Sequence, residues 1–238
     1  MWISVLFVAT TFVLIGLLLN RNNARYLLSG YNTMSATERA QFDIDGYLRW
    51  FKPFFMGLGA ASLLGFSVLQ LGGFTVAAPL FFISSILLSV LVWLIVSQRF
   101  NRGTLGWGSR LATYAVSVVI LAIGVMLYRD LQPTEMQLTG EGVQFTGTYG
   151  KIVPYSQVRS VAVVKAMPGP LYKYNGFGLG PIVKGYFRTP QHEQALLLGD
   201  LRGVPTLAIT TKNNFTIYWN SPDANLYALQ QALKRRLP

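Results

Sequence analysis

The side chains that most often carry out catalysis are scarce in this sequence. It contains no cysteine, which excludes disulfides, thiolate metal sites, iron–sulfur clusters and cysteine nucleophiles. The single histidine, His192, is the one base available for a Ser-His-Asp triad, and a metal site built from several histidines is excluded. Because His192 stands beside Glu193 in a predicted turn, we expect an ordinary surface histidine. The sequence predicts no cofactor and no metal.

The nine acidic residues do not form a recognisable catalytic pair. Two carboxylates perform general acid–base chemistry when their environments set their pKa values apart, and no spacing here singles out such a pair. An enzyme that acts on lipid or cell wall stays open as a minor alternative. The acidic residues are Glu38, Asp43, Asp45, Asp130, Glu135, Glu141, Glu193, Asp200 and Asp223.

A glycine-rich segment at 176–180 invites comparison with phosphate-binding loops. It lacks the G-x-G-x-x-G spacing, the strand-to-helix context and the Lys-Ser/Thr pair of such loops. We predict instead a flexible loop at the rim of a domain, where it contacts a ligand or the bilayer. The candidate contacts are Asn175, Gly176, Phe177 and Gly178.

The composition indicates a membrane protein. Of 238 residues, 52% are hydrophobic and 12% are charged, and the mean hydropathy is +0.39. A soluble domain has about 25% charged residues, roughly twice this fraction. The high hydrophobicity excludes a disordered chain, and the length allows one or two domains.

Four apolar runs are long enough to cross a bilayer, which requires about 20 helical residues. None contains an acidic, basic or histidine side chain, which argues against a pump or an ion-coupled transporter. The first run has no basic stretch before it and no clear cleavage site, so we expect an uncleaved helix. The predicted spans are 2–19, 54–73, 75–97 and 111–128.

The charges of the loops predict the orientation. The loops 20–53 and 98–110 carry eight Lys and Arg residues together, whereas the opposite side has Arg129 close to the last span. Basic loops stay in the cytoplasm. We therefore expect both loops in the cytoplasm of a bacterium, and both termini and the C-terminal domain outside its inner membrane.

Small residues recur every four positions in the second span, at Gly57, Ala61 and Gly65. This spacing lets two helices approach closely. Packing within one subunit and a homodimer seam both remain open.

The first loop has an unusual pattern for a membrane loop. Ser35 and Glu38 have the spacing of a capping box, which predicts a short helix from Ala36 toward Tyr47. The segment resembles a bacterial membrane family of unknown function that carries a Gly-Tyr-Asn-Thr-Met-Ser motif after its first helix. This resemblance covers about residues 1–100 and extends to the membrane part of SdpI-type immunity and signalling proteins. It implies a partner-docking loop, and a purely structural turn is the alternative. The loop residues are Gly30, Tyr31, Asn32, Thr33, Met34, Ser35 and Glu38.

The region after Asp130 differs in composition, with eight short runs rich in Val, Thr, Phe and Tyr. Glycine, proline and asparagine separate them, as is typical of an all-β domain. Asn214 lies in a predicted hairpin. Ser221, Pro222 and Asp223 predict the start of a final helix whose apolar face carries Leu226, Leu229 and Leu233. The predicted strands are 135–139, 143–148, 151–154, 157–165, 183–188, 194–198, 206–211 and 215–219.

Three short segments of this region resemble the bacterial pleckstrin-homology family. They are Ile152–Tyr155 with Val158, Asn175–Gly178, and Gly185–Arg188. The resemblance implies a small closed barrel capped by the C-terminal helix, and a binding or scaffolding module rather than an enzyme.

The fold class we predict is an α-helical transmembrane bundle of four spans, residues 1–128, followed by a pleckstrin-homology-like all-β barrel, residues 129–238. We expect no enzyme, but an accessory or scaffold subunit that binds membrane lipid or a protein partner. Residues 129–238 carry 12 Lys and Arg against 6 Asp and Glu, which suits an anionic bilayer surface. We expect no nucleic acid, because no motif for it is present. The alternative is an SdpI-like immunity or signalling protein.

Overall fold

The computed structural model describes residues 1–28, 31–32, 34–101 and 107–237. The chain divides into two compact units, Met1–Ile123 and Gly124–Pro238. The first is helical. The second begins with the end of a long helix and consists mainly of β-strands, which we call the β domain.

The helices follow the apolar runs, with shifted ends. Asp43 caps the second predicted span through a hydrogen bond from the Gly46 amide, 2.9 Å, so this helix begins ten residues before the predicted start. The short helix after the capping box ends at Gln41 instead of continuing toward Tyr47. The helices are α1 (Trp2–Leu18), α2 (Arg21–Leu27), α3 (Ala36–Gln41), α4 (Ile44–Leu71), α5 (Ala77–Ser97) and α6 (Trp107–Leu131).

Three of the helices in the described part of the chain are long and apolar enough to span a membrane: α4, α5 with its continuation to Phe100, and α6. Helix α1 is equally apolar but has 17 residues, which is about 25 Å at 1.5 Å per residue and less than the ~30 Å hydrocarbon core. The structure therefore supports three spans by length and composition, where the sequence predicts four.

Glycine lets the helices of the first unit approach closely. A Cβ at Gly59 would stand 2.6 Å from the Ala9 carbonyl oxygen, and one at Gly16 would stand 3.0 Å from the Lys52 carbonyl oxygen. Helix α4 thus meets α1 at backbone distance. Gly65 packs under the Phe81 ring of α5.

Two of the three small residues predicted to form a packing seam are exposed in the chain. A Cβ at Gly57 would meet nothing within 4 Å, and Ala61 is exposed. The spacing identified the right helix, but the glycine of α4 that meets α1 is Gly59, and on α1 it is Gly16 that meets α4.

The β domain contains two sheets. Strands β1, β2 and β3 form an antiparallel sheet of three, and the other six strands are ordered β4-β8-β9-β7-β6-β5. The pairing of β7 with β9 is parallel, whereas the other pairs are antiparallel. The strands are β1 (Met136–Leu138), β2 (Gly142–Phe145), β3 (Ile152–Pro154), β4 (Val158–Val164), β5 (Tyr172–Leu179), β6 (Ile182–Arg188), β7 (Ala195–Asp200), β8 (Thr206–Thr211) and β9 (Thr216–Trp219).

The prediction of a closed barrel was wrong. In the described residues β4 and β5 lie at opposite edges of the larger sheet, and no ladder joins either strand to the smaller sheet. Turn signals predict where strands begin and end, but they carry no information on which strands pair. The parallel pair in particular joins strands that are not consecutive in the chain.

The larger sheet has a buried core on each face. Leu196 and Leu198 of β7 pack into the core shared with the smaller sheet and the final helix, α7 (Leu226–Lys234). Ala195 and Leu197 point into a second core on the opposite face. The continuous apolar run of β7 is typical of a strand that is covered on both sides.

Two local features of the β domain were predicted with different success. The hairpin at Asn214 is confirmed by a φ of 60° at that residue. Helix α7 begins four residues later than expected, because Asn225 and not Ser221 caps it by accepting a hydrogen bond from the Ala228 amide.

Candidate functional site

The first loop folds around its capping box. The Ser35 hydroxyl accepts the Glu38 amide at 3.2 Å, and the Glu38 carboxylate accepts the Ser35 amide at 2.7 Å. This bond from the Ser35 backbone lowers the pKa of Glu38. Arg39 donates from Nε to the Met34 carbonyl oxygen at 3.0 Å. The capping box is confirmed, and Gly30 and Thr33 of the motif lie outside the described residues.

A polar cleft of about 330 Å³ lies beside this loop. Tyr31 is the motif residue that lines it, and its ring lies tilted against that of Phe42, with the centroids 5.5 Å apart. Arg21 and Asp45 form an exposed ion pair on the cleft at 3.4 Å, and such a pair contributes little stability. The partner-docking role of Tyr31, Asn32, Met34, Ser35 and Glu38 stays a prediction.

The segment predicted as a rim loop is an edge strand. Asn175, Gly176, Phe177 and Gly178 belong to β5 and pair with β6. A Cβ at Gly176 would stand 2.8 Å from the Lys184 carbonyl oxygen, so this glycine allows close packing rather than flexibility.

His192 has the surroundings of a structural residue. Its backbone amide donates to the Thr189 hydroxyl at 3.1 Å. The carboxylate of its neighbour Glu193 pairs with Arg188 at 3.2 Å and accepts the Tyr174 hydroxyl at 3.2 Å. Within the described ranges, no group of three or more histidine or acidic residues is placed to hold a metal ion.

The segment that follows α6 is held by side chains of the larger sheet. Lys184 donates from Nζ to the Gln132 carbonyl oxygen, and Trp219 donates from Nε1 to the Thr134 carbonyl oxygen at 2.7 Å. Both donors are buried and lie in one row across the sheet, because each is paired with Leu198. We call this contact of Lys184 and Trp219 with Gln132–Thr134 the linker clamp.

A second contact reaches the last turn of α6 itself. The Thr148 hydroxyl, in the turn between β2 and β3, donates to the Asp130 carboxylate at 2.7 Å. Burial, with a smaller contribution from the Asp130 charge, raises the pKa of Tyr149. Both sheets therefore contact the chain where α6 ends.

A cavity of about 160 Å³ lies beside the linker clamp, and we call it the Lys184 cavity. Its wall includes Leu131 at the end of α6, Asp200 at the end of β7 and Arg202 after that strand. Arg202 donates to Asp200 from Nε at 2.8 Å and also from Nη2. Asn220 fixes this corner by accepting the Asp200 amide at 2.8 Å.

The environment of Lys184 is unusual for a lysine, because the residue is 5% exposed. Burial lowers the pKa of its ammonium group, and the charge of Asp130 opposes this shift to a smaller degree. Sequence reasoning missed this residue, since a lysine in an alternating strand is expected to face water. One available signal was its position between Val183 and Phe187 in a strand with few polar residues.

Comparison with known proteins identifies only the helical part. Residues 6–101 match a family described as a domain of unknown function (DUF3784), which is consistent with an uncharacterised membrane family. The match ends at Asn101 and does not include the β domain. No curated protein and no solved structure matches the chain.

Proposed function

We propose that the chain is a membrane protein without catalytic activity, an accessory or scaffold subunit whose β domain binds a lipid or protein partner at the membrane surface. The linker clamp is the observation that carries this proposal. If α6 spans the bilayer, its last residue, Leu131, lies near an interface, and the clamp begins one residue later.

The linker clamp is important because it holds the segment between α6 and the strands of the β domain in one position, where a flexible linker would not. A flexible linker would let the β domain sample the solvent around the span. Here two buried donors and the Thr148 contact hold Asp130–Thr134, so the β domain is kept at the end of α6. A binding module held in this way acts on what lies at the membrane surface.

Two further properties support a binding role. The resemblance of the β domain to bacterial pleckstrin-homology modules implies a binding or scaffolding module, although its sheets do not close. The domain also has the net positive charge noted above, and each Lys or Arg near an anionic bilayer contributes about 1 kcal/mol of attraction.

A depth measurement tests the proposal. The chain has no native cysteine, so a spin label can be attached at Thr148→Cys, and separately at Glu141→Cys in the β1–β2 turn as the matched control. Thr148→Cys removes the contact with Asp130 but leaves both buried donors of the linker clamp in place. In nanodiscs, we expect the label at residue 148 to lie at headgroup depth and the label at residue 141 to be in water. Water exposure at both positions would contradict the proposal.

The polar cleft of the first loop favours a second candidate function. Arginine and carboxylate side chains around one cleft suit a charged protein segment, as expected for the docking loop of an SdpI-like immunity or signalling protein. In that case, deletion of the gene must change the sensitivity of the cell to a toxin. Unchanged sensitivity would count against this candidate.

A further inference from the structure

We propose that the Lys184 cavity binds one phosphate group of an anionic ligand, and that an anionic phospholipid headgroup supplies it. This inference rests on the proposed function, because a lipid reaches the cavity only if the β domain lies at the membrane surface.

Lys184 supplies an incompletely paired buried cation. An ammonium group has three N–H donors, and among the described residues the Gln132 carbonyl oxygen accepts one of them. No carboxylate in the described part of the chain forms an ion pair with it. Asp130 acts on Lys184 only from beyond ion-pair distance. A buried charge without a direct ion pair is costly, so an anion in the cavity would offset that cost.

The acidic residue of the cavity is already neutralised. Asp200 is held by Arg202 through Nε and Nη2, which leaves the arginine Nη1 without a partner among the described residues. The cavity wall has two positive side chains, Lys184 and Arg202, and one negative side chain, Asp200. Its net charge is therefore +1. Asp130 lies outside the wall, and its carboxylate accepts from Thr148. Arginine and lysine are the side chains that most often bind phosphate.

The size and the apolar part of the wall restrict the ligand. A volume of about 160 Å³ corresponds to roughly five water molecules at about 30 Å³ each, which suits a phosphate group with its ester atoms. Leu131, Pro133 and Ile182 form apolar wall next to the end of α6. This arrangement suits a headgroup phosphate whose glycerol and acyl chains continue along the helix. Free phosphate has no apolar part to contact this wall.

The test uses the full chain in nanodiscs. Wild-type protein is placed in phosphatidylcholine with a small fraction of phosphatidylglycerol, and bound lipid is counted by native mass spectrometry. In a second arm, inorganic phosphate is titrated into phosphatidylcholine nanodiscs and followed by ³¹P nuclear magnetic resonance. The variants are Lys184→Met, Arg202→Gln, and Lys173→Met as the control, because Lys173 is an exposed lysine of β5.

We expect wild type and Lys173→Met to retain phosphatidylglycerol, and Lys184→Met and Arg202→Gln to lose about tenfold in affinity, as for one lost charged hydrogen bond. Binding of free phosphate without lipid, lost in the same variants, would overturn the lipid as the source and support the phosphate site. Equal binding by all four proteins would overturn the site.

A second variant and a second measurement separate the possible causes of a negative result. Arg202→Gln leaves the linker clamp intact, so it tests the cavity even if Lys184→Met fails to fold. Failure of the phosphate site leaves the spin label at residue 148 at headgroup depth, whereas failure of the proposed function moves that label into water.

Discussion

The buried ammonium group of Lys184 links one side chain to the stability of the β domain. Burial disfavours its charged form and lowers its pKa in the folded chain. Between this lowered pKa and the ordinary lysine value, the unfolded chain binds more protons than the folded chain. The free energy of unfolding therefore rises with pH through this window.

We expect Lys184→Met to reduce this rise in phosphate-free buffer. The measurement is chemical denaturation between neutral pH and about pH 10. It is followed by the fluorescence of Trp219 in a background in which the other four tryptophans are replaced by phenylalanine. The control is Lys173→Met, because Lys173 is an exposed lysine of β5. Burial also lowers the pKa of Lys151, so Lys151 contributes to the same rise and does not serve as a control. A pH slope that is unchanged in Lys184→Met would show that its burial has no energetic consequence.

At the scale of elements, two glycines of α4 lie on different faces of the helix: Gly59 on the face that α1 covers, and Gly57 on an exposed face. Gly59 and Gly57 are two residues apart, so they lie on opposite sides of the helix. Their helix propensities are equal, and the difference between them is the contact with Ala9.

We expect Gly59→Ala to destabilise the helical unit by about 1–3 kcal/mol, because the new methyl group would force α1 away from α4. Gly57→Ala meets no atom, and we expect it to be neutral or to stabilise by up to ~1 kcal/mol through helix propensity. Thermal unfolding in detergent compares the two. Equal effects would show that the close contact does not hold the two helices together.

Prediction from the sequence was most successful for elements with a local cause. Ser35 and Glu38 form the expected capping box, and Asn214 has the expected positive φ. It failed at Gly176, where glycine signalled a loop and the structure has a strand. A glycine is compatible with both, and the choice depends on Phe187 and the Lys184 backbone packed against it.

At the scale of the whole molecule, the orientation in the membrane remains a prediction from the loop charges. A cysteine at Asn214, in the exposed hairpin of the β domain, provides the test, because the chain has no native cysteine. A membrane-impermeant maleimide is applied to intact cells and to lysed cells.

We expect labelling in intact cells, which would place the β domain outside. Labelling only after lysis would contradict the charge argument and would place the β domain beside the inner leaflet. Either result identifies the side of the membrane on which the β domain lies, and so the leaflet whose phospholipids can reach the Lys184 cavity.

The sequence by itself determined the membrane character, the division near residue 130 and the β character of the second part. These properties depend on the length of the apolar runs, the periodicity of apolar residues and the positions of turn residues. Each of these acts within a few neighbouring positions. The tertiary structure alone decided that β7 pairs with β9 in parallel, that Gly59 and not Gly57 meets α1, and that Lys184 is buried over Gln132. Each depends on which distant segments meet, and the pairing free energy is shared among residues far apart in the chain.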